Sequence, residues 1–156
     1  MSLLAEYRDA RSAEDTARLR RVLALRAMLA TGTTQREIAA ALGVTQPAIS
    51  QQLRAFPQAG TDPSVLIDAG GPILRQVAEE RGFTDLAVFG SVARRQSGPD
   101  SDIDLLVRPA PGTTITDFLA LKDLLEQIVG CRVDLVSYGG LRPGTDDDIL
   151  REAVPL

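Results

Sequence analysis

Two aspartates stand one residue apart inside an apolar run of the sequence. The run reads Ser-Asp-Ile-Asp-Leu-Leu-Val, and Asp102 and Asp104 alternate in it with aliphatic residues. Alternate side chains of a β-strand share one face, so the two carboxylates project the same way while the aliphatic residues pack behind them. Like charges held this close repel each other unless a cation lies between them. The spacing therefore indicates a cation site.

A third acid and a Gly-Ser pair extend this candidate site. Asp134 lies in another apolar run, and a neighbouring place in the sheet would bring its carboxylate to the same side. Three convergent carboxylates suit Mg²⁺, which prefers oxygen ligands and completes its shell with water and substrate phosphates. Gly90 and Ser91 end an earlier apolar run, where a turn into a helix presents N–H groups and a hydroxyl to an anion. Together these residues predict a site for a metal ion and a phosphate group.

The composition excludes several other kinds of site. The 156 residues contain no histidine and one cysteine, which excludes an intramolecular disulfide, a zinc finger and a histidine-based catalytic triad. No apolar stretch approaches the roughly 20 residues that span a bilayer, and the N-terminus lacks the features of a signal peptide. We therefore expect a cytoplasmic location and no membrane partner. Residues 1–60 carry a net charge of +3 and residues 61–156 one of −7, which suggests two domains with different partners.

Apolar periodicity and turn residues divide the chain into two parts. Residues 1–56 are predicted to be all-α, with helices over 16–30 and 35–42 and a third helix capped by Thr45. Residues 57–71 are predicted to be a linker, because Pro, Gly, Ser, Thr and Asp concentrate at its start. Residues 72–156 alternate helices and strands, which indicates an α/β or α+β domain around one small sheet. The elements predicted there are helices over 72–81, 116–129 and 146–153 and strands over 86–89, 103–107 and 132–136.

The segment TQREIAAALGVTQPAISQQLRAF, residues 34–56, resembles the helix-turn-helix of bacterial transcription regulators. The resemblance rests on a small residue, a turn glycine and apolar anchors at the required offsets, namely Ile38, Ala39, Leu42, Gly43, Val44, Ile49 and Leu53. It implies base-edge contacts from the start of the second helix of the motif, which is the helix capped by Thr45. The contacting residues would be Thr45, Gln46, Pro47, Ser50 and Gln51. Phosphate contacts would come from Arg36 and Arg54. The alternative is an ordinary three-helix bundle with a solvated polar face.

One such motif buries too little DNA for high specificity by itself. If the DNA site is a palindromic operator, we expect a homodimer, and residues 3–30 are the candidate interface.

Three groups of residues in the second part are similar to the minimal nucleotidyltransferases of the polymerase β superfamily. They are Gly90-Ser91-Val92-Ala93-Arg94, then Ser101-Asp102-Ile103-Asp104-Leu105, then Val133-Asp134-Leu135. The resemblance covers roughly residues 72–156 and implies a polymerase β-like fold with a small mixed sheet. This group includes the antidote halves of many bacterial toxin–antitoxin pairs.

The resemblance also implies roles for the candidate site residues. Asp102 and Asp104 would bind two Mg²⁺ ions, and Asp134 would complete the cluster and serve as general base for the acceptor hydroxyl. Gly90 and Ser91 would hold the triphosphate of a nucleotide, which the resemblance implies to be ATP. Arg94 would contact a phosphate or pair with an acid. The reaction would be an in-line attack on the α-phosphate with pyrophosphate leaving.

Two residues depart from the family pattern. Arg95 stands where family members usually have glycine, and Gln96 stands where an acid is common. We expect Arg95 to alter the turn that ends the short helix and to affect nucleotide affinity more than metal binding. A domain that keeps the fold but has lost turnover is the alternative.

Taken together, the two resemblances imply a DNA-binding autoregulator that is also an antitoxin-like nucleotidyltransferase. It would transfer a nucleotidyl group, AMP from ATP, to a partner toxin, which in the family is often an all-helical HEPN ribonuclease. The alternative is a transcription regulator whose idle transferase fold neutralises a partner by contact or senses nucleotide. Transfer to a small molecule such as an aminoglycoside is less favoured, because the chain offers no second domain to enclose the acceptor.

Overall fold

The computed structural model describes residues 2–55 and 61–156. In chain order the elements of these ranges are the helices α1 (Leu3–Ala30), α2 (Gln35–Leu42), α3 (Gln46–Arg54) and α4 (Pro63–Glu80), the strand β1 (Phe83–Phe89), the helix α5 (Gly90–Ala93), the strand β2 (Ile103–Pro109), the helix α6 (Ile115–Val129), the strand β3 (Val133–Ser137), a 3₁₀ turn (Tyr138–Gly140), the helix α7 (Asp147–Glu152) and the strand β4 (Val154–Pro155). None of the described helices is both long and apolar enough to cross a membrane.

The helix-turn-helix forms at the signals that its sequence carries. The Thr34 hydroxyl accepts a hydrogen bond from the Glu37 N–H, while the Glu37 carboxylate accepts one from the Thr34 N–H, at 3.2 and 2.8 Å. Gly43 ends α2 with a left-handed φ of 68°, which glycine adopts without steric cost. Thr45 caps α3 by accepting from the Ala48 N–H. These local predictions are confirmed.

Four strands form one small mixed sheet in the order β3-β2-β1-β4. β1 pairs antiparallel with β2 and β4, whereas β2 and β3 run parallel. Helices α1, α4 and α6 cover one face of the sheet, and the segment 138–153 packs on the other face against Ala87, Phe89 and Leu106. The predicted architecture, a helical N-terminal part and a C-terminal polymerase β-like part with a small mixed sheet, is confirmed. Strand β4 was not predicted, because two residues are too few to show a period.

Helix α1 belongs to two hydrophobic cores at once. Its Leu19, Leu23 and Ala27 are buried with α4, α6 and the sheet, whereas Leu25 is buried with Ile38, Ala39 and Ile49 of the helix-turn-helix. The two faces of α1 therefore join the helix-turn-helix to the part of the chain that contains the sheet.

Two polar contacts reinforce this junction. The guanidinium of Arg26 donates to the carbonyl oxygens of Ile128 and Gln127 at the end of α6, over 2.8 and 2.5 Å. These carbonyls belong to the last turn of α6, where the helix itself supplies no N–H donor for them. Arg20 donates to the Ala69 carbonyl of α4. The contacts tie α1 to the helical layer by polar as well as apolar interactions.

The predicted start of the next helix is wrong, and the later part of the predicted linker is helical. Residues 63–71, which we assigned to the linker, form the first half of α4, and the helix runs through Pro72 rather than beginning there. Asp62 caps it by accepting from the Ser64 N–H at 2.9 Å, and Pro63 takes the first helical position. Residues 57–60 of the predicted linker lie outside the described residues. The division into two domains near this segment stays a prediction.

Gly70 lies inside α4, where it serves the packing of this helix against α1. A Cβ on Gly70 would lie 2.7 Å from the Leu23 Cδ1, closer than real Cβ contacts. Glycine here lets α1 and α4 approach each other closely. Helix α1 likewise begins at Leu3 and not at residue 16, with Ser2 as its cap. Residues 3–15 were missed because, exposed on nearly every side, they have no apolar period to detect.

Candidate functional site

The sheet register places three positions side by side: the end of β1, Asp104 of β2 and Asp134 of β3. Phe89, the last residue of β1, pairs with Asp104 of β2, and Asp104 in turn pairs with Asp134 of the parallel strand β3. Neighbouring strands lie about 4.8 Å apart, and paired residues point to the same face. The two carboxylates therefore share the face opposite the helices, next to the Gly90-Ser91 turn.

Gly90 allows Asp104 to approach the backbone of this turn. A Cβ on Gly90 would lie 2.2 Å from Oδ2 of Asp104, and the backbone here has a φ of +70°. Both the positive φ and the close approach exclude an ordinary L side chain. The Gly-Ser pair is therefore a place where the backbone and an acid of the next strand must nearly touch.

The acids of the site act on one another electrostatically. Burial raises the pKa of Asp104 above its ordinary value, and the negative charges of Asp134, Asp102 and Glu152 raise it further, while Arg94 lowers it. Asp102 and Asp134 themselves are exposed, and Asp104 is half-buried. A cation placed among these carboxylates would remove the repulsion.

The acids do not form a compact ligand cluster by themselves. Across residues 2–55 and 61–156, no group of three or more His, Cys, Asp or Glu side chains is arranged to hold a metal ion. The three-carboxylate ligand set thus stays a prediction. The residues do fit Mg²⁺ bound together with a nucleotide, because such ions are usually held by one or two carboxylates plus substrate phosphates and water.

Glu152 contacts two of the candidate site residues, although no sequence pattern singled it out. Its Oε1 accepts a hydrogen bond from the Gly90 N–H at 3.0 Å, and its Oε2 accepts one from Nη1 of Arg94 at 2.9 Å. The Gly90 N–H, expected to face a phosphate, therefore faces this carboxylate. Arg94 pairs with an acid, as one of its two expected roles, and its Nε donates to the Gln96 side chain. No spacing rule connects residues 62 positions apart, so only the fold reveals this contact.

Arg95 leaves the turn after α5 intact. It adopts a φ of +59°, the left-handed conformation that a glycine would take at this position. Its guanidinium binds both carboxylate oxygens of Asp68 on α4, at 2.7 and 2.9 Å. The left-handed conformation costs a non-glycine residue about 1–2 kcal/mol, which the two bonds to Asp68 help to offset. The expectation that Arg95 alters this turn is not met.

The predicted DNA-contacting residues lie at the start of α3 and beside it. Thr45, Gln46, Pro47 and Gln51 are exposed and Ser50 is partly exposed, while Ile49 holds the helix in the core. The Thr45 hydroxyl is engaged in capping, and Arg54 donates weakly to the Ser50 carbonyl. Arg36 is exposed on α2. The structure thus leaves a polar face on α3 open to a partner, as such motifs require.

Two further arginines border this face. Arg18 and Arg21 of α1 line a groove of about 330 Å³ together with Gln51 and Gln52 of α3. Arg18 also forms an exposed ion pair with Glu14. No sequence pattern assigns these arginines to this face, because their approach to α3 depends on how α1 packs.

Comparison with known proteins identifies both parts of the chain. Residues 73–156 match the model of the nucleotidyltransferase domain family, and residues 19–60 match that of bacterial regulatory proteins of the arsR family. A solved minimal nucleotidyltransferase structure shares 41% identity with a TM-score of 0.55, covering 60% of this chain and 95% of that one.

Two archaeal relatives carry the name protein adenylyltransferase. One, from Methanocaldococcus jannaschii, is 39% identical over 77 residues, which are 49% of this chain and 83% of the relative. The other, protein adenylyltransferase MntA of Thermococcus cleftensis, is 36% identical over 80 residues, 51% of this chain and 81% of the relative. The chain therefore belongs to the nucleotidyltransferase domain family and is a nucleotidyltransferase enzyme joined to an arsR-type helix-turn-helix.

Proposed function

We propose that this enzyme transfers AMP from ATP to a hydroxyl group of a partner protein and that its helix-turn-helix binds operator DNA. The observation that carries the proposal is the pairing of Phe89, Asp104 and Asp134 in adjacent strands, which gathers acids beside the Gly90-Ser91 turn. The name protein adenylyltransferase, carried by the two archaeal relatives, supports AMP as the group and a protein as the acceptor.

In the proposed reaction the acceptor oxygen attacks the α-phosphorus, the bond from this phosphorus to the bridging oxygen of pyrophosphate breaks, and pyrophosphate leaves. Asp134, exposed at the edge of the site, takes the proton of the acceptor hydroxyl. The Ser91 hydroxyl and the remaining Arg94 N–H groups bind the phosphates. Asp102 and Asp104 would hold Mg²⁺, which would supply charge neutralisation along the triphosphate.

We further propose a toxin of the HEPN ribonuclease type as the acceptor, with the chain as its antitoxin. A single chain that carries both a DNA-binding motif and a transferase suits the regulation of an operon by its own product. Binding as a homodimer through α1 would match a palindromic operator, and the exposed arm of residues 3–15 leaves part of this helix free for a second copy.

The transfer assay uses purified protein, α-labelled ATP and Mg²⁺, with the product of the adjacent reading frame as acceptor. We expect label to move to that partner with the wild type and not with the double variant Asp102→Asn/Asp104→Asn. Absence of transfer, combined with partner binding and DNA binding that survive in the double variant, would show that the domain neutralises by contact or senses nucleotide.

The DNA-facing surface predicts a measurable salt effect at Arg21. Each phosphate contact contributes about −0.9 to the slope of log affinity against log salt concentration. Arg21→Gln removes one such contact, so its slope should be less steep by about that amount. Fluorescence anisotropy with a labelled 24-base-pair duplex measures it. Arg81→Gln is the matched control, since Arg81 is exposed at the end of α4 and belongs neither to the helix-turn-helix nor to the proposed dimer helix. An equal slope for both variants would remove Arg21 from the interface.

A further inference from the structure

Glu152 comes from the far end of the chain and bonds two groups of the phosphate site at once. One carboxylate oxygen accepts from the Gly90 N–H and the other from Arg94. Its side chain is only 25% exposed, whereas Arg94 is 47% exposed. The negative charge of Glu152 adds electrostatic repulsion to that of Asp104. We therefore expect its two hydrogen bonds to give the site a benefit that offsets this repulsion.

The backbone around Glu152 is held in place on both sides. The strand β4 follows directly and pairs Val154 with Val88 of β1, and the Leu156 N–H donates to the Leu86 carbonyl. Before it, Ile149 packs on the apolar face of the sheet with Ala153. The same strand, β1, therefore ends in Gly90 and anchors the segment that carries Glu152. A carboxylate anchored in this way is suited to orienting its partners and not to leaving when a phosphate arrives.

The bonds of Arg94 leave it able to serve a nucleotide at the same time. A guanidinium has five N–H donors, of which Glu152 and Gln96 use one each. Both bonds restrict the rotation of the side chain, so the remaining donors keep a defined direction.

We propose that Glu152 is a positioning residue for nucleotide binding, which fixes the Gly90 turn and aims Arg94 at the phosphates of ATP. It acts through these two groups and does not touch the nucleotide itself. The inference rests on the proposed nucleotidyl transfer from ATP. It assigns the end of the chain a part in building the nucleotide site.

The test is the dissociation constant of ATP with Mg²⁺, measured by calorimetry for the full chain. Glu152→Gln keeps the size of the side chain but replaces one of the two accepting oxygens with an NH2 donor, so one of the two bonds is lost and we expect about tenfold weaker binding. Asp148→Asn is the control, because Asp148 is on the same helix and exposed, paired only with Arg151 among the described contacts. It should bind ATP as the wild type does.

A double-mutant cycle separates positioning from general stabilisation. Because Arg94→Gln already removes one of the two groups through which Glu152 acts, adding Glu152→Gln to it should weaken ATP binding by less than Glu152→Gln does in the wild type. Additive losses, or wild-type affinity in a folded Glu152→Gln protein, would overturn the inference. Glu152→Asp, which keeps the charge but shortens the reach by one methylene, is the second variant should Glu152→Gln not fold, and the same weakening is expected. Failure of the wild type to bind ATP would count against the proposed function instead.

Discussion

Asp104→Asn is expected to lower nucleotidyl transfer by about a thousandfold, equivalent to about 4 kcal/mol of transition-state stabilisation. Asp104 is the strand acid that lies against the Gly90 turn, so the carboxylate of a neighbouring strand cannot take its place without moving the strand. The rate of label transfer to the partner protein measures the effect. Asp123→Asn, an exposed acid on α6 in the opposite layer, is the matched control and should keep full activity. Retention of more than about a tenth of the rate would exclude an essential role for Asp104.

The same variant should be more stable than the wild type when no metal is present. Because burial and its acidic neighbours raise the pKa of Asp104, its charged form is disfavoured in the folded state. The wild type therefore gains stability as the pH falls through this raised pKa and loses it as the pH rises. Asp104→Asn should melt at a higher temperature at neutral pH in EDTA, and the difference should shrink on acidification. A difference that grows at low pH would contradict the assigned direction.

Leu23→Ala is expected to destabilise the whole chain by about 2–5 kcal/mol, a large part of the roughly 5–15 kcal/mol that holds a typical domain folded. Leu23 is fully buried, and its methyl group lies against Gly70 at the crossing of α1 and α4. The cavity left behind closes only in part, because the packed surroundings of a buried leucine relax only partially.

Since α1 contributes to both cores, we expect one unfolding transition in which DNA binding and nucleotide binding are lost together. Chemical denaturation followed by intrinsic fluorescence of the tyrosines and by ATP binding tests this. Leu4→Ala provides the control, because Leu4 is 57% exposed on the same helix. Two separate transitions, or loss of only one activity, would show that the halves fold independently.

Local features of this chain could be predicted from the sequence, and long-range ones could not. The capping box at Thr34, the turn at Gly43 and the alternation of Asp102 and Asp104 each depend on residues a few positions apart. Those patterns report directly on the backbone, so the helix-turn-helix and the strand that carries Asp104 were identified correctly, whereas Asp102 lies one residue before that strand.

The failures concern residues whose meaning depends on distant partners. Gly70 lies in a Gly-Gly pair that has the composition of a turn, and only the approach of Leu23 shows that it serves helix packing. The sequence marks Glu152 as no more than an acid near a helix end, and its bonds to Gly90 and Arg94 arise from the pairing of β4 with β1. Arg95 departs from the family pattern in identity, yet its backbone keeps the conformation of the glycine.

Because α1 contributes to both hydrophobic cores, cutting the chain between its two halves would leave one core incomplete. The family models suggest a cut near residue 60, which would release the catalytic half as a fragment. Such a fragment would lose the side chains of α1 that cover Leu66, Ile67 and Ala69 on α4. An aliphatic surface prone to aggregation would then be exposed to solvent. We expect the fragment to aggregate or to recruit chaperones unless a separate copy of α1 is supplied, so this helix acts for the catalytic half as a chaperone built into the same chain.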